Sequence, residues 1–138
     1  MPSPRPYTVV VVDDTHELRS LWKLMLEYDE RFAVVADAAD GRAGVAAAGL
    51  HQPDLVLLDI AMPVMDGLQA LRLIRAESPL STVVMHSSFS EDSIQASLAR
   101  RMGAHGFIRN GLPRQALLAK LESILRRSAG PISATAQC

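Results

Sequence analysis

The stretch LVLLDIAMPVMDG, residues 55–67, decides the fold. It begins with four consecutive apolar residues, reaches Asp59, and continues into a segment with proline and glycine that is typical of a loop. A second run, VVVVDD at residues 9–14, has the same form. Strands that are apolar at successive positions are buried on both faces, as in a parallel sheet covered by helices. The chain is therefore predicted to be an α/β protein.

Working outward from these two runs, five strand-like segments alternate with segments of helical spacing. The predicted strands lie near residues 7–13, 32–37, 54–59, 82–87 and 106–109. The predicted helices are 15–28, 43–50, a third through Leu68, Leu71 and Ile74 that Pro79 closes, a fourth from the cap signal at 90–93 to Arg101, and a fifth from Leu117 to near Arg127. This alternation predicts five βα units in a three-layer sandwich.

Composition limits the class of protein. The chain has 138 residues, a formal net charge of -1 and one cysteine, Cys138. Such a length forms one domain without disulfides, and the balanced charge gives no argument for binding nucleic acid or a membrane. Cysteine usage and the lack of a signal-like or spanning apolar run predict a cytoplasmic protein. We expect a domain over residues 7–128, between a flexible N-terminus at 1–6 and a flexible tail or truncated linker at 129–138.

Three acidic residues should meet at one edge of the predicted sheet. Asp13 and Asp14 follow the first strand, and Asp59 ends the third. Ligands of open parallel sheets bind outside the carboxyl ends of the strands, and three crowded carboxylates favour a cation. Taken alone, Asp13 and Asp14 would be interpreted as a strand end and a helix cap. The matching position of Asp59 favours a binding site.

The histidines carry no comparable signal. They are His16, His51, His86 and His105. They fall on different predicted elements without the spacing of metal ligands. We interpret them as solvated or hydrogen-bonded structural side chains, none of which looks like a phosphohistidine donor.

Four features resemble a known family in their order and spacing. They are the Asp13-Asp14 pair after the first strand, Asp59 at the end of the third, Met62-Pro63-x-Met65-Asp66-Gly67 behind it, and Ser87 ending the fourth. Together they resemble the receiver domain of bacterial two-component response regulators over residues 7–128, most of all receivers followed by a helix-turn-helix DNA-binding domain. The resemblance implies a flavodoxin-like (βα)5 sandwich whose parallel five-stranded sheet has the order 2-1-3-4-5.

The resemblance also implies a role for each acid. Asp59 would be the phosphoacceptor, taking a phosphoryl group from a sensor histidine kinase. Mg²⁺ would be bound by Asp13, Asp14, Asp59 and the backbone carbonyl of Ala61, because a divalent cation offsets the repulsion between a carboxylate and a phosphoryl group. Asp66 is interpreted as a turn and helix start rather than as a ligand.

Two further residues would transmit the signal by this resemblance. Ser87 is the switch hydroxyl, which engages a phosphoryl oxygen, and Phe107 is the switch aromatic on the fifth strand. The output surface would be the fourth helix, fifth strand and fifth helix, through which a homodimer is also expected. The domain would be a signalling switch that catalyses only its own phosphotransfer and dephosphorylation. It would bind neither membrane nor nucleic acid itself. Either the domain stands alone, or the residues from Ser128 onward are the start of a linker to a C-terminal helix-turn-helix domain that would bind DNA.

One position departs from the family pattern. Asn110 stands where a lysine is usual at the end of the fifth strand, and the neighbouring Arg109 should point to the opposite face. An asparagine donates a hydrogen bond but brings no charge. This leaves open an alternative, a phosphorylation-independent interaction or dimerisation module with a degenerate switch. A third reading, a metal-dependent phosphohydrolase, is disfavoured because Ala61 stands where a second acid would be needed.

Overall fold

The computed structural model of the protein describes residues 5–90 and 92–137, with residues 129–137 described through their backbone alone. Within these residues five strands alternate with five helices. The strands are β1 Tyr7–Val12, β2 Phe32–Ala38, β3 Leu55–Asp59, β4 Thr82–Ser87 and β5 Gly106–Arg109. The helices are α1 His16–Glu27, α2 Gly41–His51, α3 Gly67–Glu77, α4 Ile94–Arg101 and α5 Arg114–Gln137.

All neighbouring strands pair in parallel, in the order β2-β1-β3-β4-β5. Helices α1 and α5 cover one face of the sheet, where Trp22 and Leu121 share a core with alternate strand residues. Helices α2, α3 and α4 cover the other face through Ala48, Leu71 and Ala96. This arrangement confirms the predicted flavodoxin-like sandwich and its strand order.

The two central strands carry the burial that the sequence predicts. Residues 9–12 of β1 and 55–58 of β3 are all 0% exposed, because helices cover both faces of the sheet. Their registers align Val12 with Leu58. The residues that follow each strand therefore emerge side by side at the carboxyl edge.

Side-chain caps start three of the helices. Asp40 accepts a hydrogen bond from the Ala43 N–H at α2, and Ser93 accepts one from Ala96 at α4. Asp66 forms a reciprocal capping box at α3. The interpretation of Asp66 as a helix start is thus confirmed. Helix α4 begins directly after the predicted cap signal, with Ser93 as its N-cap.

Helix α5 ends later than predicted, at Gln137 instead of near Arg127. The prediction stopped before Gly130 and Pro131, both poor helix formers, whereas the alanines around them favour helix. The helical backbone therefore continues through most of the segment predicted as a flexible tail or linker, whose flexibility stays a prediction. Residues 1–4 of the predicted flexible N-terminus lie outside the described residues.

Gly67, the first residue of α3, lies against the backbone at the end of β3. A Cβ there would meet the carbonyl oxygen of Asp59 and lie 2.7 Å from the Cα of Ile60. We expect Gly67→Ala to lower the free energy of unfolding by about 1–3 kcal/mol, the cost of overpacking, as measured by denaturant titration. Gly49→Ala in α2 is the control, because its nearest neighbour would be 3.7 Å away, and it should be neutral or stabilising. Equal destabilisation by both changes would contradict this explanation.

Candidate functional site

Three carboxylates meet at the carboxyl edge of the sheet. Asp13 directly follows β1, Asp59 is the last residue of β3, and Asp14 begins the connection to α1. One oxygen from each lies within 4.8 Å of the others. Asp13 is buried, Asp59 is partly buried and Asp14 is exposed, so the cluster opens from the core to solvent. The structure thus brings together the three acids that the sequence predicts to meet.

Crowding and burial work against negative charge in this cluster. The pKa of Asp59 is raised to about 7, first by burial and then by the charges of Asp13 and Asp14, against the opposing effect of the backbone N–H groups of Ala61 and Ile60. Burial also raises the pKa of Asp13, partly offset by the N–H of Thr15. A cation placed among these groups would favour their ionised forms.

The loop after β1 fixes one half of the Asp13 side chain. Its Oδ1 accepts a hydrogen bond of 2.8 Å from the Thr15 N–H, and its backbone carbonyl accepts one of 2.8 Å from the Arg19 guanidinium. Its Oδ2 is buried and has no hydrogen-bond partner among the described residues. This oxygen is available to a metal-bound water or to a neighbouring donor.

The donor set fits a hard divalent cation. Each of the three side chains offers a carboxylate oxygen, the ligand type that Mg²⁺ prefers, and one buried oxygen lacks a partner. Ala61, whose carbonyl is predicted to be a further ligand, lies in the exposed start of the β3–α3 connection. The carbonyl of the preceding residue, Ile60, accepts a hydrogen bond of 2.7 Å from the Gly67 N–H. The metal role of Ala61 stays a prediction.

The two residues predicted to form the switch lie on neighbouring strands. Ser87 ends β4 and is 3% exposed, and its Oγ accepts a hydrogen bond of 3.1 Å from the Phe89 N–H. Phe107 on β5 is also 3% exposed and pairs in register with Met85, in the core beneath α2, α3 and α4. Alternation along β4 puts Ser87 on that same face. Their proximity is compatible with coupling, and their switching roles stay predictions.

Asn110 lies where the resemblance leads one to expect a lysine. It follows β5 directly, and its N–H donates to the Ser87 carbonyl at 2.8 Å. Its side-chain Oδ1 is buried without a partner among the described residues. Arg109 is exposed, and alternation along the strand points it to the other face. The chain therefore places a neutral amide at this edge of the site.

His86 is the residue that the sequence reasoning missed. It is 0% exposed, so it is not a solvated side chain. Neither ring nitrogen forms a well-aligned hydrogen bond among the described residues, although the Asn110 side chain and the Val12 backbone lie close enough to affect its pKa. Its Nε2 lies 3.8 Å from Asp13 Oδ2, and its ring centroid is 4.8 Å from that of Trp22. Burial lowers its pKa to about 4, so the imidazole is neutral near pH 7. Its position directly after the apolar residues 83–85 of β4 was the available signal.

Comparison with known proteins agrees with this geometry. The family model for the response regulator receiver domain matches residues 9–122. Protein-glutamate methylesterase/protein-glutamine glutaminase 2 of Nitratidesulfovibrio vulgaris is 41% identical over 128 residues, an alignment covering 91% of this chain and 35% of that protein. The chain thus spans about a third of the length of the first curated relatives it matches.

Solved structures show the same fold. The signal receiver domain of the response regulator NarL from Mycobacterium tuberculosis matches with a TM-score of 0.83 and 30% identity, covering 89% of this chain and 98% of that one. The CheX–CheY–BeF3–Mg²⁺ complex from Borrelia burgdorferi matches with a TM-score of 0.79 and 30% identity, covering 86% and 89%. In the part of the chain that is described, no helix is long and apolar enough to cross a membrane. Matches over most of the sequence and of the fold show that this chain belongs to the family of response regulator receiver domains.

Proposed function

We propose that this receiver domain binds Mg²⁺ at the acid cluster and accepts a phosphoryl group on Asp59 from a sensor histidine kinase. The observation that carries the proposal is the meeting of Asp13, Asp14 and Asp59 within 4.8 Å, with the pKa of Asp59 raised to about 7. The similar CheX–CheY complex contains BeF3 and Mg²⁺, which supports the same chemistry here. Crowded carboxylates around one partly buried acid are suited to a cation-assisted nucleophile.

The proposed ligand set uses side chains and one backbone group. Asp14 is exposed and would bind the ion directly, Asp13 would act through water, and Asp59 and the carbonyl of Ala61 would complete the protein's share. Mg²⁺ bound there would neutralise charge on the transferring phosphoryl oxygens. Every other ligand position is left to water and to the phosphoryl group.

Asp59 is the proposed nucleophile because it lies at the end of β3 and is partly exposed. In its ionised form, one carboxylate oxygen attacks phosphorus. The new O–P bond forms as the P–N bond of the kinase phosphohistidine breaks, and the bonding pair leaves with the imidazole. The product is an acyl phosphate on Asp59, which water later hydrolyses.

The phosphoryl group would be recognised by Ser87. Its Oγ already accepts from the Phe89 N–H, so its hydroxyl proton can donate to a phosphoryl oxygen without breaking that bond. Phe107 in the neighbouring strand would repack in response. Ile94 and Leu98, separated by one helical turn on α4, are 76% and 42% exposed, which supports an output and homodimer surface formed by α4, β5 and α5.

We further propose that the domain works in the cytoplasm as a switch with no turnover chemistry beyond its own phosphorylation and dephosphorylation. Its near-neutral charge supports protein partners rather than direct contact with nucleic acid. Any activity of a longer protein would reside outside these residues, since the matched relatives extend well beyond the receiver.

Intact mass after incubation with acetyl phosphate tests the proposal. We expect one phosphoryl group per chain with Mg²⁺ present and none after chelation with EDTA. Light scattering on the same samples should show a phosphorylation-dependent change in size if α4, β5 and α5 form the proposed dimer. Mg²⁺ binding without any phosphoryl uptake would contradict the proposal and favour a phosphorylation-independent interaction module.

Replacing the neutral amide with the usual cation should improve phosphoryl capture. We expect Asn110→Lys to raise the rate of phosphorylation by acetyl phosphate about fivefold, because a charge-assisted hydrogen bond is worth about 1 kcal/mol more than a neutral one. The measurement is the phosphorylated fraction against time by intact mass. Asn110→Gln, which adds length but no charge, is the control. If both variants react at the wild-type rate, charge at this position does not limit the reaction.

A further inference from the structure

Unpaired polar atoms gather at one place beside the acid cluster. They are Asp13 Oδ2, His86 Nδ1, His86 Nε2 and Asn110 Oδ1, the buried side-chain nitrogen and oxygen atoms without a hydrogen-bond partner among the described residues. Leaving such a group unpaired costs about 1–3 kcal/mol, so buried polar groups are nearly always bonded. Since these atoms belong to three neighbouring residues, they can satisfy one another. The Val12 backbone, which affects the pKa of His86 together with the Asn110 side chain, is a further partner within reach of the imidazole.

Strand register puts the three side chains on one face. His86 pairs with Asp59 across β3 and β4, and paired residues of parallel strands point the same way. Val11 and Ile108 lie in the core under α1 and α5, and alternation places Asp13 and Asn110, two residues further on, on that face as well. The Trp22 ring, 4.8 Å from the imidazole, covers it from α1. The imidazole is thus enclosed next to Asp13.

The distances favour an indirect role over direct metal binding. His86 Nε2 is 3.8 Å from Asp13 Oδ2, a gap that a small rotation would shorten to a hydrogen bond. The oxygens that approach one another within 4.8 Å come from the three acids, and His86 does not join that group. His86 can therefore reach the ion through Asp13 rather than by coordinating it.

The two ring nitrogens suit a relay of hydrogen bonds. An uncharged imidazole donates through one nitrogen and accepts through the other. Nε2–H can donate to Asp13 Oδ2, while Asn110, close enough to affect the ring's pKa, can turn its amide N–H to the second nitrogen. Together with the Thr15 N–H on Oδ1, both oxygens of Asp13 would then be held.

We infer that His86 is a positioning residue for the metal pocket: its imidazole, supported by Asn110, holds Asp13 in place in this chain, which lacks the lysine usual at position 110. The inference rests on the proposed function. Groups that orient a ligating carboxylate typically contribute 10–100-fold to metal affinity. By this inference Asn110, although uncharged, supports the imidazole that orients Asp13.

The Mg²⁺ dissociation constant, measured by calorimetry on the full chain, is the first test. We expect His86→Leu to weaken binding at least about tenfold, and His86→Gln, which keeps an N–H donor, to stay within about threefold of the wild type. Adding Asn110→Lys to His86→Leu should restore much of the affinity, since an ammonium group can hold Asp13 instead. His105→Gln is the control, because His105 bonds to the Val83 N–H at the opposite end of β4. Thermal unfolding of each variant shows that it is folded.

The second test is the tautomer of His86, measured by ¹⁵N NMR of the imidazole. A role in packing alone would not determine which ring nitrogen carries the proton. We expect the Nε2–H form, with its resonance moving as Mg²⁺ is added. Wild-type affinity retained in folded His86→Leu, or an unprotonated Nε2 that ignores Mg²⁺, would overturn the inference. If the inference is overturned but the wild type still takes up a phosphoryl group, the proposed function stands without a positioning role for His86. A wild type that binds no Mg²⁺ would overturn both.

Discussion

The Asp59→Asn variant is expected to take up no phosphoryl group from acetyl phosphate, a complete loss relative to the wild type. The amide offers no nucleophilic oxygen, while Asp13 is buried with one oxygen bonded to Thr15. Intact mass after a fixed incubation with Mg²⁺ measures the loss. Its size separates Asp59 from residues that only tune the rate.

An acid on the adjacent part of the sheet provides the control. Among the described residues, Asp37 on β2 forms two long ion pairs, 3.8 Å with Arg19 and 3.7 Å with Lys23. Asp37→Asn should therefore be phosphorylated like the wild type. Uptake by Asp59→Asn at the wild-type level would contradict the assignment of the acceptor.

Mg²⁺ affinity is expected to fall about tenfold between pH 8 and pH 6, because protons and the cation compete for Asp59. In the absence of a cation the pKa of Asp59 is about 7, so the carboxylate is ionised at pH 8 and mostly protonated at pH 6. Binding must displace that proton at the lower pH. The pKa of Asp13, also raised by burial, adds to the effect in the same direction.

Calorimetry in buffers of different ionisation enthalpy measures this dependence as affinity and as protons released. Proton release should be larger at pH 6 than at pH 8. Asp59→Asn is the control, and its weaker binding should change much less over the same range. Equal wild-type affinity at both pH values would show that Asp59 does not carry the proton in the metal-free protein.

Much of the fold follows from local sequence. The run at 55–58 is apolar at every position, which is typical of a strand covered on both faces, and the structure buries it completely. The ends of β1 and β3 were predictable for the same reason, and so was the meeting of the three acids at the carboxyl edge of the sheet. The predicted end of α5 was wrong because the small and polar residues after Arg127 were interpreted as a linker or frayed tail, whereas the helical backbone continues to Gln137.

Features that depend on side-chain surroundings were less accessible. A single histidine within β4 has no periodicity, and only the packed structure shows His86 enclosed by Trp22 and facing Asp13. The close approach of Gly67 to the backbone of Asp59 likewise follows from the path of the loop. Such contacts depend on how the chain folds in three dimensions, and patterns along the sequence do not encode them directly.

The sequence and the structure lead to different interpretations of Asn110. From sequence it is a lost charge, which weakens phosphoryl capture. In the structure it is a partly buried amide beside the buried imidazole of His86, whose Nε2 lies 3.8 Å from Asp13 Oδ2. The two views predict different partners for the same residue, and the His86 and Asn110 variants separate them.

The position of the acyl phosphate tests the central claim most directly. After reaction with acetyl phosphate and Mg²⁺, reduction with borohydride converts a phosphorylated aspartate to homoserine, which peptide mass spectrometry locates in the chain. We predict homoserine at position 59 alone, and only when Mg²⁺ was present. Homoserine at position 13 or 14, or none in protein that binds Mg²⁺, would contradict the account.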